Sequence, residues 1–209
     1  MKKLFAAAGV AGLLIVLAVP GYACERCDKI KAENGWCNGC KVGYVEGVKI
    51  KSDKLFQAVS GTTVEKSKVK CPGCKTAHSK GGWCDHCKVG YAGGKRFTSE
   101  VGFALAAGEA RDVSKIKCPG CKKAAKSKGW CDHCKVGYVG NFHYKDKGAF
   151  NSAVKARIIL EKAAKSKCDA CAVAMVSDGE CKHCKVAYKG GKKVKLTGKG
   201  QKHHDHDDD

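Results

Sequence analysis

Sixteen cysteines at one fixed spacing leave this chain few ways to fold. They stand at Cys24, Cys27, Cys37 and Cys40; Cys71, Cys74, Cys84 and Cys87; Cys118, Cys121, Cys131 and Cys134; and Cys168, Cys171, Cys181 and Cys184. Every set reads C-x2-C-x9-C-x2-C, and the sets begin 47, 47 and 50 residues apart, so the chain is an internal repeat. Aromatic residues are only 7% of the 209 residues, and much of the apolar fraction is Ala, Val and Cys. A string of small stapled units is therefore expected rather than one large core.

The repetition extends past cysteine. Gly35, Gly82, Gly129 and Gly179 stand two places before the third Cys of each set, followed by Trp36, Trp83 and Trp130, with Glu180 in the last copy. After the fourth Cys comes Lys-Val-Gly-Tyr (41–44, 88–91, 135–138), relaxed to Lys185-Val186-Ala187-Tyr188. Glu46-Gly47, Gly93-Gly94, Gly140-Asn141 and Gly190-Gly191 then read as two-residue hairpin turns, whose second position tolerates positive φ. Phe56, Phe103 and Phe150 lie sixteen residues after the fourth Cys, inside stretches that begin with the N-caps Ser52-Asp53, Thr98-Ser99 or Asp146. In the third of these, Phe150, Val154 and Ile158 recur every four residues and are expected to share a helix face. The fold class is thus a small, metal-stapled α+β repeat, with β-hairpin modules at 24–62, 63–113, 114–164 and 165–196 joined by short helices.

Residues 1–23 read as a cleavable secretory signal: Lys2 and Lys3, an apolar run from Leu4 to Val19, and small residues at Gly21 and Ala23. Acylation of Cys24 would consume a ligand of the first set, and Gly21 stands where a lipobox has Leu. The expectation is an exported chain, periplasmic or secreted, without a spanning segment once cleaved near Ala23.

Two C-x2-C pairs nine residues apart bring four sulfurs together if each pair forms a tight turn, and four thiolates suit a tetrahedral Zn²⁺. The units resemble short zinc ribbons. Cys71-Pro72-Gly73-Cys74 and Cys118-Pro119-Gly120-Cys121 match that family's CPxC knuckle, and Trp83-Cys84 and Trp130-Cys131 match its aromatic-Cys second knuckle. The likeness covers the residues around each cysteine set and not the linkers. Where the family has Gly after a knuckle, this chain has Lys41, Lys75, Lys88, Lys122, Lys135 and Lys185. Four Zn²⁺ per chain are expected. The competing reading is eight disulfides, which an exported protein could form. Covalent haem is disfavoured because no pair is followed by His, and thioredoxin-like redox chemistry because it needs a C-x2-C at a helix start within a βαβ frame. His86, His133 and His183, inside the second pair of three copies, are expected to face solvent. His203, His204 and His206, in the terminal His/Asp-rich stretch (197–209), offer a weak metal site, or belong to an acidic tail that folds back on the body.

The chain carries 40 Lys+Arg against 20 Asp+Glu. Loss of Lys2 and Lys3 leaves +18, and four zinc sites of four thiolates, each of net −2, reduce this to about +10. Part of the lysine excess offsets thiolate charge; the remainder fits an anionic polymer or a protein partner. Sequence-specific nucleic-acid binding is not expected, nor is catalysis, since a zinc saturated by four cysteines has no position for substrate. A metal-sequestering or thiol-redox buffer and a disulfide-stapled extracellular scaffold are the alternatives.

Overall fold

The computed structural model describes residues 24–195, Arg111 excepted; the leader at 1–23 and the tail histidines His203, His204 and His206 lie outside the described residues. Each copy opens with a helix that begins inside its first cysteine pair, where the spacing was expected to form a tight turn. The first copy comprises α1 (Glu25–Glu33), β1 (Trp36–Cys37), β2 (Val42–Val45), β3 (Val48–Ile50) and the linker helix α2 (Asp53–Ser60). Then follow β4 (Thr62–Thr63), α3 (Pro72–Lys80), β5 (Gly82–Cys84), β6 (Val89–Ala92), β7 (Lys95–Phe97) and α4 (Glu100–Ala106). The third copy has β8 (Glu109–Ala110), α5 (Pro119–Ser127), β9 (Trp130–Cys131), β10 (Val136–Val139), β11 (Phe142–Tyr144) and α6 (Lys147–Ala163). The last has α7 (Asp169–Val176), β12 (Glu180–Cys181), β13 (Val186–Lys189) and β14 (Lys192–Val194).

Every sheet is antiparallel, with the strand carrying the third Cys beside the first hairpin strand: Cys37 pairs with Val42, Cys84 with Val89, Cys131 with Val136 and Cys181 with Val186. The linker strands β4 and β8 extend the sheets of the second and third copies by pairing with β7 and β11. No described helix is long and apolar enough to cross a membrane.

The hairpin turns form where expected. Glu46 and Gly47, Gly93 and Gly94, and Gly190 and Gly191 are all left-handed, whereas in Gly140-Asn141 only Gly140 is. Tertiary contact explains the exception. The Asn141 amide donates to Glu46 Oε2 at 3.2 Å, and its side chain donates to the Ala32 carbonyl at 3.2 Å.

The linker helices do more than join modules. Ser52, Ser99 and Asp146 cap them, accepting from Leu55, Gly102 and Ala149 amides at 3.2, 3.2 and 2.7 Å. α2, α4, α6 and α7 then pack together over one central core of sixteen buried residues, fed by the hairpins through Val45, Val48, Ile50, Val139 and Tyr144. Ile50, Leu55, Leu105 and Leu160 are all but fully buried there, and each contributes about 1.5–3 kcal/mol. Four smaller clusters surround it, each built on cysteines. The expectation of beads without a large core is thus corrected: the pattern of one residue per helical turn, spread over three linkers, closes into a shared interior. On α6 the buried face is Phe150, Ala153, Ala156, Leu160 and Ala163, while Ile158 is 49% exposed. A strict four-residue step drifts off a 3.6-residue helix face, which is why Ile158 leaves it. The apolar run Ala172–Met175 lies within α7, whose Ala172 and Val176 enter the central core.

The recurring Gly, Trp and Phe form one packing unit. Each Phe lies against the Trp of its own copy (ring centroids 5.3, 5.6 and 5.5 Å apart) and over the Gly of Val-Gly-Tyr. A Cβ on Gly43, Gly90 or Gly137 would sit 2.5, 2.4 or 2.2 Å from the Phe56, Phe103 or Phe150 ring. The last copy has no Phe, and there Ala187 replaces Gly and Glu180 replaces Trp. The three departures have one cause.

Glu46 fastens the first copy to the third. Its carboxylate accepts from Asn34 Nδ2 and the Asn141 amide, its own amide donates to Asn34 Oδ1 at 2.8 Å, and Arg157 Nη1 donates to its carbonyl. Burial pushes its carboxyl up to about 7 against the lowering by Asn34, Asn141 and Arg157. With the folded value above the unfolded one, this group's contribution is fully present below pH ~4.5 and is lost as pH rises through about 7. Glu46→Gln is therefore expected to gain stability relative to the parent by about 1–3 kcal/mol between pH 5 and 8, measured by denaturant midpoints at each pH. A difference between the two proteins that does not vary with pH would refute the assignment.

Candidate metal centres

The first Cys of each set is the N-cap of a helix and the second lies in its first turn: Cys24 and Cys27 on α1, Cys71 and Cys74 on α3, Cys118 and Cys121 on α5, Cys168 and Cys171 on α7. Pro72 and Pro119 occupy the first helical position, where a fixed φ is pre-set and no amide is missed. The two first-pair turns expected from CPxC are therefore helix starts. The second pair forms a tight turn entering the hairpin. Lys41, Lys88, Lys135 and Lys185 follow it at φ +52, +53, +51 and +52. This is the place where the ribbon family has Gly, and a side chain there costs about 1–2 kcal/mol. Lys75 and Lys122, after the first pair, are simply helical.

These elements bring the four sulfurs of each set within 4.8 Å of one another. Cys71 and Cys84 Sγ are 4.0 Å apart, and Cys168 and Cys181 Sγ 3.9 Å. Four sulfurs about 2.3 Å from a tetrahedral Zn²⁺ would be about 3.8 Å apart, whereas a disulfide needs about 2.05 Å. The donor set and spacing thus fit four tandem metal-binding modules of four cysteines each. In each set the two middle cysteines are buried, and the outermost, Cys40, Cys87, Cys134 and Cys184, are exposed.

The electrostatics divide the sulfurs. The Cys74, Cys121 and Cys171 amides, at the positive ends of their helices, lower Cys71, Cys118 and Cys168 to about 6. In the first set the lowered thiol is Cys37, to about 7, through the Cys40 amide. Sulfur–sulfur hydrogen bonds, first those to Cys74, Cys121 and Cys171, push Cys87, Cys134 and Cys184 up to about 12; for Cys27 burial is the main cause of a rise to about 12. Four clustered thiols cannot all ionise on their own. A divalent cation bound there would take the place of the shared protons.

A contribution absent from the sequence reading comes from tyrosine. Tyr91, Tyr138 and Tyr188 are buried beside the sites, and each counters the rise that burial imposes on Cys74, Cys121 and Cys171. The last copy retains Tyr188 although it loses Gly and Trp, and that retention was the available signal. The three second-pair histidines face solvent as expected, but each also lies along its neighbouring cysteine. The thioredoxin argument is corrected in one part: a C-x2-C does open a helix in every copy, though among antiparallel strands only.

Comparison with protein-family models, curated proteins and solved structures returns no match. The assignment rests on the geometry of the four-sulfur clusters.

Proposed function

We propose that the chain is an exported, non-catalytic zinc protein in which ribbon-like four-cysteine centres act as structural staples and the basic exterior engages an anionic partner. The observation that carries this reading is the fourfold recurrence of four convergent sulfurs. Zn²⁺ is the cation because it accepts four thiolates tetrahedrally and needs no redox partner. When bound it supplies folding energy to modules too small to stand alone. The Gly–Trp–Phe packing and the shared core favour this over a pure metal buffer, which needs neither. Toward an anionic partner, Lys122, Lys126, Lys128 and Arg157 line one cavity of about 530 Å³ beside Glu46.

Metal analysis and thiol counting on one preparation, isolated natively without added metal, test the proposal. About four zincs per chain are expected, one per cluster, with most thiols reactive only after chelation and denaturation. A chain with no metal and no free thiol when denatured is a disulfide scaffold, and the zinc reading falls.

A further inference from the structure

The four centres are unequal, and the differences converge on the first. In the other three, a histidine Nδ1 lies against the outermost sulfur: His86 and Cys87 at 3.6 Å, His133 and Cys134 at 3.5 Å, His183 and Cys184 at 3.4 Å. With its proton on Nδ1, a histidine so placed draws charge from the most exposed thiolate of its set. Gly39 stands in that position in the first centre.

The inner side differs too. Directly after the second cysteine the second and third centres have Lys75 and Lys122, and the fourth has Ala172; the first has Asp28. A site of four thiolates holding a divalent cation is already net negative, so a lysine steadies it and a carboxylate does the reverse. Asp28 is the residue next to Cys27 and is exposed on α1. Tyr44 is half-buried, whereas its three counterparts Tyr91, Tyr138 and Tyr188 are buried beside the sulfurs.

Packing points the same way. Three buried residues, Cys27, Cys37 and Val42, make the first satellite cluster, against six in the second and six in the third. Yet the first hairpin is anchored elsewhere, since Val45, Val48 and Ile50 belong to the central core. The first site can open without unmaking the interior.

We infer that the Cys24, Cys27, Cys37 and Cys40 centre is an exchangeable site, with Cys40 the sulfur through which a thiophilic d¹⁰ cation enters and leaves, while the other three centres retain theirs. This rests on the zinc reading above. In the exchange an incoming thiol would give up its proton and its sulfur would take the place of Cys40 on the cation, while the Cys40–metal bond would break and the released sulfur would take up that proton; no electron would be transferred. The first centre is then a point of transfer to other thiol ligands, carried on a scaffold that the remaining three keep folded.

The test challenges the native full-length chain with rising concentrations of a chromogenic zinc chelator in the presence of N-ethylmaleimide, with cysteine labelling mapped by mass spectrometry. Cys40 is expected to label first, about tenfold faster than Cys87, Cys134 and Cys184, as removal of one outer-shell contact implies. Gly39→His places the missing contact in open space, since a Cβ there meets nothing within 4 Å, and it is expected to slow Cys40. Asp28→Lys should act in the same direction from the other side of the site. His133→Gly should bring Cys134 toward the rate of Cys40. Metal present but lost evenly, or first from another centre, overturns the inference and leaves the zinc reading standing. A chain that holds no metal overturns both.

Discussion

Stripping the chain of metal is expected to dismantle both the hairpins and the interior. Each structural zinc contributes about 10–16 kcal/mol at neutral pH, while a whole domain is stable by about 5–15 kcal/mol. The satellite clusters consist largely of the cysteines themselves. The central core in turn takes Val139 and Tyr144 from the third hairpin and Ala172 and Val176 from α7, which starts at the fourth cysteine set, so it follows them. Circular dichroism should lose its strand and helix signal, and the fluorescence of Trp36, Trp83 and Trp130 should shift as the Phe stacks open. Added Zn²⁺ should restore both. Acid should act in the same direction. Cys71, Cys118 and Cys168 are lowered to about 6, so their contribution is present above the ordinary thiol value and declines as pH falls through about 6. Metal release should therefore grow below that pH, opposite in direction to the Glu46 effect. A chain indifferent to chelator and unfolded by a thiol reductant would show that disulfides hold it.

Gly137→Val should be the most damaging single replacement that leaves every cysteine in place. Gly137 pairs with Trp130 on one side and Tyr144 on the other, so its backbone cannot retreat. The Phe150 ring occupies the space a Cβ would need, at 2.2 Å, and α6 carries that ring into the core. Overpacking at such a point costs about 3 kcal/mol or more. At about 2–4 °C per kcal/mol, the melting temperature should fall by roughly ten degrees. Ala187→Gly, the reverse change in the copy without a Phe, should cost no more than about 1 kcal/mol. Melting of Gly137→Val with the parent would show that the Phe does not dock there.

Much of this was legible before any coordinates. Cysteine spacing located the sulfur clusters, turn dipeptides located the hairpins, and Ser52, Ser99 and Asp146 marked the helix starts that the structure uses. Two kinds of feature escaped. The helices α1, α3, α5 and α7 are short and mostly polar outside α7, so apolar periodicity could not reveal them; Pro72 and Pro119 were read as knuckle residues although they also suit a first helical turn. The shared core escaped because its members come from separate repeats. Neither Leu55, Leu105 nor Leu160 identifies its partners from within its own copy. Asn141 shows the same limit, since its contact with Glu46 spans 95 residues and changed a local turn.

The closure of four copies around one interior has a consequence for how such a chain can evolve. In an open solenoid each added repeat contacts only the one before it, so copies accumulate or vanish with little penalty. Here α2, α4, α6 and α7 each supply one wall of a common chamber, and α7 comes from the last copy, ahead of its own hairpin. Deleting a copy would leave a side of that chamber open to water. Each copy is thus held by the enclosure as a whole and not by its neighbour alone.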